Sequence, residues 1–143
     1  MARSRSAGLG AVVAVFMAGC GSSGALVTNT AGLSCVDDSP RCVGERQAAL
    51  RDMTSDTSKS WIQQPPTAAA YASGVRLFAY KTKKSELTCT ELQRGITEAN
   101  AGPAILRGPA GAGLSPAQVS RGVILAGEVS RELSRERSRR CAG

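Results

Sequence analysis

Apolar residues recur along the chain in four blocks, separated by proline, glycine and polar runs. The first block follows Ser39-Pro40, where serine is a good N-cap and proline fits the first helical position. Val43, Leu50, Met53 and Trp61 then share one face at helical spacing, with Glu45, Asp52 and Asp56 opposite, until Pro65-Pro66. The second block runs from a Thr67 cap to about Thr82. Tyr71, Val75 and Phe78 repeat there at i, i+4 and i+7, beside Ala68, Ala72 and Ala79. A strand over 75–80 would put Val75, Leu77 and Ala79 on one face but Phe78 and Tyr80 on the other with Arg76, so the spacing predicts helix. The third block opens with the capping box Thr88-Cys89-Thr90-Glu91. It places Cys89, Leu92, Ile96 and Ala99 on one face and is expected to fail before Gly102-Pro103. Gly108, Pro109, Gly111 and Gly113 then mark a connecting loop.

Ser115-Pro116 repeats the first cap signature. Val119, Val123, Ala126, Val129 and Leu133 form a core-facing stripe in a helix reaching about Arg139. Ile124 and Leu125 lie off that stripe, so the middle of this helix is expected to touch more than one neighbour. Its polar end carries Glu128–Arg131, Glu132–Arg135 and Glu136–Arg139 at i,i+3, which pair on an isolated helix. The expected fold is all-α, a small four-helix bundle-like domain over residues 35–143.

Ahead of this domain the pattern changes. Arg3 and Arg5 precede residues 7–17, which contain no charged side chain. A short cationic segment and a short apolar run are the parts of a secretory signal. The run is too short to span a bilayer, which takes about 20 apolar residues. The four residues Met17-Ala18-Gly19-Cys20 at the end of this run resemble the lipobox of bacterial lipoproteins, with Met17 where that family usually has leucine. The resemblance covers the first 21 residues. It implies a signal peptide over 1–19, a lipidated N-terminal Cys20, and a location in the cell envelope. Gly21, where aspartate would retain the protein at the inner membrane, implies the outer membrane, facing the periplasm. Several acyl chains on one cysteine anchor stably, at about 0.8 kcal/mol per buried CH₂. Residues 20–34, small and polar apart from Leu26, Val27 and Leu33, read as a flexible tether. Secretion with cleavage near Ala18 or Ala25 is the alternative.

Five cysteines are present, and setting Cys20 aside leaves Cys35, Cys42, Cys89 and Cys141. An exported chain meets oxidants, so two disulfides are expected. Three pairings are open. Antiparallel packing of the last two helices favours Cys89–Cys141, which leaves Cys35–Cys42 to close a short loop onto the first helix. No CxxC occurs, and a zinc site would need all four thiols. The net charge of +7 falls by two if Arg3 and Arg5 are removed. The remaining basic balance attracts anionic headgroups or acidic polymers without choosing between them. Lys81, Lys83 and Lys84 read as partners of a helix C-terminal dipole, or alternatively as an anionic-surface contact.

The chain contains no histidine, which removes Ser-His-Asp and Cys-His catalysis, zincin motifs and c-type haem ligation. Asp37-Asp38 is the one adjacent carboxylate pair, and GPAGAG lacks the lysine and hydroxyl of a phosphate loop. No catalytic, metal or cofactor site is expected. Aromatics make up only 3% of the chain and glutamates interleave the arginines of the last helix, so nucleic acid is not an expected partner. The expected function is that of a lipid-anchored envelope protein whose non-catalytic domain binds a protein partner or an anionic surface. The alternative is a secreted or anchored binder or inhibitor of an acidic extracellular enzyme. A third reading is an enzyme using carboxylates or a Ser/Lys pair.

Overall fold

The structure, a computed structural model, describes residues 33–141. The signal peptide, Cys20 and the tether up to residue 32 lie outside the described residues. The described chain is helical, with no strand among its residues. In chain order it comprises α1 (Pro40–Ser55), a 3₁₀ turn (Ser60–Gln63), α2 (Ala68–Ser73) and α3 (Val75–Lys83). These are followed by α4 (Cys89–Arg107), a second 3₁₀ turn (Pro109–Gly111) and α5 (Pro116–Arg140).

Local chemistry sets most of the helix starts. The Ser39 hydroxyl accepts from the Cys42 amide, and Pro40 occupies the first turn of α1. Thr67 caps α2 through the Ala70 amide. Thr88 with Glu91, and Ser115 with Gln118, form reciprocal capping boxes at α4 and α5. Each such cap satisfies amides that a helix leaves without partners.

Three boundaries differ from the periodicity. The first helix stops at Ser55 rather than continuing past Trp61, because the Asp56 carboxylate bends the chain away. It accepts from the amides of Ser58 (2.9 Å) and Ser60 (2.8 Å) and from both hydroxyls. This local alternative competes with the helical ladder. Lys59 follows in the left-handed region at φ +53°, and Trp61 is buried in the 3₁₀ turn.

The second expected helix is two. Gly74, at φ +74°, closes α2 and opens α3. A Cβ there would also lie 2.7 Å from Leu125, so glycine meets both a conformational and a steric demand. The break re-aims the face that follows. Val75, Leu77, Ala79 and Tyr80 turn inward, and Phe78, expected in the core, is 44% exposed.

The third helix passes through Gly102-Pro103 and ends at Arg107. A proline inside a helix costs about 3 kcal/mol, but Leu106, three residues on, is buried at the α5 contact. Packing of that last turn offsets the lost hydrogen bond.

The helices α4 and α5 run antiparallel at close range. Cβ positions built on Gly95, Gly102 and Gly122 would fall 2.7 Å from Leu133, 3.2 Å from Ala126 and 2.7 Å from Leu106. The register places Cys89 opposite Cys141, and these form a disulfide. A second disulfide joins Cys35 to Cys42. Helix α1 packs on α3, while α2 bridges α4 and α5. The core between them holds Trp61, Tyr71, Tyr80, Leu77, Leu92, Val129 and Leu133.

Cross-linking a long loop restricts the unfolded chain more than a short one. The bridge of separation 52 is worth about 4 kcal/mol and that of separation 7 about 2 kcal/mol on the entropic scale. Replacing Cys89 and Cys141 together with serine therefore lowers the denaturant midpoint further than replacing Cys35 and Cys42. Equal losses would contradict this account.

A second prediction concerns acid. The Asp56 carboxyl is held at about 2, below its ordinary 3.8, first by the Ser58 hydroxyl and then by Ser60 and the two amides. A depressed native pKa stabilises the fold above the unfolded value, and this contribution fades as pH drops towards the native one. Asp56→Asn is expected to be less stable than the parent at neutral pH. Thermal melts should show the gap closing between about pH 4 and pH 2.

Candidate functional site

Two polar or apolar clusters could carry a function, and they differ in access to solvent. The first is central. Arg76 of α3 and Glu98 of α4 are 3% and 8% exposed and form an ion pair. The guanidinium grips the carboxylate through Nε and Nη2, the latter at 2.9 Å. Nη1 also donates to the carbonyl of Trp61 and Nη2 to that of Ile62. The Tyr80 hydroxyl donates to Glu98 Oε2 at 3.1 Å, and the Tyr71 hydroxyl to the Glu98 carbonyl at 3.0 Å. Burial, helped by the Glu98 charge, raises the Tyr71 hydroxyl to about 12 and pushes Tyr80 upward as well. The Arg76 guanidinium lies 5.7 Å from the Trp61 ring, which meets Tyr80 edge-on at 4.8 Å. The indole Nε1 has no hydrogen-bond partner among the described residues. Every member is enclosed, so this network organises the core and offers no bound molecule a way in.

The acidic pair Asp37-Asp38 is spent on structure. The Asp37 carboxylate accepts from the Ser39 amide at 2.8 Å, and its pKa is lowered by the Ser39 side-chain and backbone hydrogen bonds. A general acid near neutral pH needs the opposite shift. Asp38 pairs with Arg121 at 2.8 Å and faces Arg46 at 3.6 Å. Gln118 and Arg121 both donate to the Val36 carbonyl, which ties this loop to the start of α5. The acidic side chains of α1 do not converge: Glu45 pairs with Arg41, and Asp56 serves the turn after the helix. Cys35, Asp37 and Cys42 hold their donor atoms within 4.8 Å of one another. The two sulfurs are bonded to each other, so neither is available as a thiolate ligand.

The second cluster is open. A groove of about 390 Å³ lies between α3 and the middle of α5, lined by Gly74, Phe78, Gly122, Ile124 and Leu125 together with the charged Arg46, Arg121 and Glu128. Phe78 is 44% exposed and Ile124 67%, the large apolar side chains left to solvent among the described residues. Arg46 and Arg121 are occupied by the Cys35–Asp38 loop.

Beyond the groove the helices are laced by charge. Lys81 bonds Glu128 and Glu132, and Lys84 bonds Glu132. Lys83 reaches Glu86. These contacts raise the Lys81 pKa, first through Glu128, and lower that of Glu132, first through Lys84. The three lysines are thus engaged by side chains of their own domain. Of the three expected i,i+3 pairs on α5, only Glu136–Arg139 forms. Glu128 and Glu132 turn to α3 instead, which leaves Arg131 and Arg135 exposed with no ion-pair partner among the described residues. The off-stripe position of Ile124 was the one sequence signal for this surface. The periodicity marked Phe78 as a core residue, and nothing local marked the two arginines.

No protein-family model, curated protein or solved structure matches the chain. No helix among the described residues is long and apolar enough to cross a membrane.

The central network generates a test. Removing one member of a buried pair leaves the other charge uncompensated, at about 3–5 kcal/mol. Glu98→Leu and Arg76→Met should each lower stability by that order in chemical denaturation. The double variant should fall short of the summed losses by at least about 1 kcal/mol, since it strands no charge. Additive losses would mean that the pair is not energetically coupled.

Proposed function

We propose that the protein is an exported, lipid-anchored component of the bacterial cell envelope, held at the outer membrane and facing the periplasm. Its domain is a four-helix bundle-like, non-catalytic module for binding or organisation. The observation that carries this reading is the division of the cysteines. The lipobox-like Met17-Ala18-Gly19-Cys20 accounts for one, and the other four pair off within the domain. Two disulfides suit an oxidising compartment, which an exported chain enters. A thiol left over after pairing, and preceded by small residues, suits acylation.

The helical module adds to the reading. Its buried titratable groups are enclosed, and its loop carboxylates are committed to hydrogen bonds and ion pairs. One of its open features is an apolar groove, which suits contact rather than turnover. A tether over residues 20–34 would let the module reach a few tens of ångströms from its anchor.

Fractionation of a bacterial host expressing the chain tests the anchor. After a high-salt wash, which releases contacts held by charge, the parent should be retained in the membrane fraction and Cys20→Ser should not. Intact mass of the parent should show an acylated residue 20 and the loss of two hydrogens per bridge. Unchanged fractionation of Cys20→Ser, or an unmodified Cys20 thiol in the isolated protein, would remove the basis of the proposal.

A further inference from the structure

The exposed side of the α3–α5 pair has two distinct ends. On α3, Gly74, Phe78 and Lys81 recur at i, i+4 and i+7 and face α5. On α5, Ile124, Arg131 and Arg135 lie within about 40° of one another around the helix axis and span about 16 Å along it. The apolar end presents Phe78 and Ile124. The Lys81–Glu128 bond between the two ends and the Lys84–Glu132 bond beside the arginines each cancel in charge. The far end presents Arg131 and Arg135, both exposed and without an ion-pair partner among the described residues. The strip is therefore apolar at one end and cationic at the other, and each end is unsatisfied within the domain.

We infer that this strip, from Phe78 and Ile124 to Arg131 and Arg135, is a peripheral docking surface for an anionic phospholipid bilayer. Charge complementarity selects the occupant. A bilayer interface offers phosphates at the level where a guanidinium can bind them bidentately. It also offers an acyl boundary a few ångströms deeper, where isolated apolar side chains can enter. The strip lies on an outer helix face rather than in a deep pocket, so a flat partner can reach both ends together. Lipid attachment and basic surface residues are the two signals that together give durable membrane residence. The inference rests on the anchored reading for where the membrane is met, but the affinity belongs to the helical domain itself.

The test uses the full chain carrying Cys20→Ser, which has no acyl group, and two vesicle preparations. One is phosphatidylcholine alone; the other is an equal mixture with phosphatidylglycerol. Co-sedimentation should be stronger on the anionic vesicles and should weaken with added salt. Comparing the two preparations removes any headgroup-independent contribution from the apolar run near residues 10–18. Arg131→Gln/Arg135→Gln should lower the anionic partition coefficient roughly ten- to thirtyfold, and Ile124→Ser should lower it severalfold. Arg51→Gln/Arg107→Gln removes two exposed cations from other surfaces and should change binding less than about twofold. All these positions are exposed, and circular dichroism checks that the helices persist. Equal binding to both vesicle types would overturn the inference, as would full binding by the Arg131/Arg135 variant or an equal loss in the Arg51/Arg107 control. Cellular fractionation of the parent against Cys20→Ser after a high-salt wash reads the anchor separately, since salt releases the docking contact and not an acyl chain. A failed vesicle assay with intact fractionation would thus sink the docking surface and leave the anchor standing.

Discussion

The Arg76–Glu98 pair is the constraint around which the domain is arranged. A charge enclosed at 3% exposure must find a counter-charge and fill its remaining donors, or the fold carries an unmet desolvation penalty of several kcal/mol. Arg76 does both at once. Its fork meets the Glu98 carboxylate, and its remaining hydrogen bonds go to consecutive carbonyls of the 3₁₀ turn. Helix α3, helix α4 and the turn carrying Trp61 are therefore fixed to a common point. Tyr80 and Tyr71 complete the set by donating to Glu98, and their burial favours the protonated, donating form of both hydroxyls. The geometry holds only if α4 approaches closely enough to present Glu98 beneath the tyrosine rings.

That approach is made possible by small residues. Gly95 and Gly102 on α4 leave space for the Tyr80 and Tyr71 rings, and Gly122 on α5 leaves space for Leu106 and the Tyr71 carbonyl. Any Cβ at Gly95 would compete with the same Tyr80 ring that hydrogen-bonds Glu98. The hydrophobic seam and the buried polar network are thus one packing problem. The Cys89–Cys141 bridge closes the far end of the seam, where α4 begins and α5 ends. Arg140 adds hydrogen bonds to the carbonyls of Lys84 and Leu87 at the same place.

Sequence reasoning succeeded where the cause is local. The caps at Ser39, Thr67, Thr88 and Ser115 involve residues within three positions, so composition and spacing suffice to find them. The α5 stripe was legible for the same reason, since one helix face against one seam produces one period. Some failures are local rivals to the helix, as at Asp56 and Gly74, and others are contests between a local preference and a distant partner. Gly102-Pro103 reads as a stop signal, yet the packing of Leu106 against Gly122 carries α4 past it. Nothing local marks Arg76 for burial, because its partner lies 22 positions away on another helix. Phe78 reads as core until Gly74 breaks the helix and re-aims the face. The anchor segment was legible as a pattern and falls outside the described residues.

The same contest decides what the candidate surface looks like. On an isolated helix, Glu128 and Glu132 would pair with Arg131 and Arg135, each contact contributing a few tenths of a kcal/mol. In the folded domain Lys81 and Lys84 lie across a helix interface, partly shielded from water, and there the ammonium groups out-compete the arginines for both carboxylates. An interhelical pair replaces an intrahelical one because it also ties α3 to α5, and two guanidinium groups are released to the outside as the by-product. Their freedom is a consequence of tertiary structure, not of local composition, which is why a charge count gives no hint of it. A basic balance spread evenly over a domain would attract many anions weakly. Two adjacent unpaired guanidiniums, one helix face along from two exposed apolar side chains, form a directional feature with a chemistry of its own.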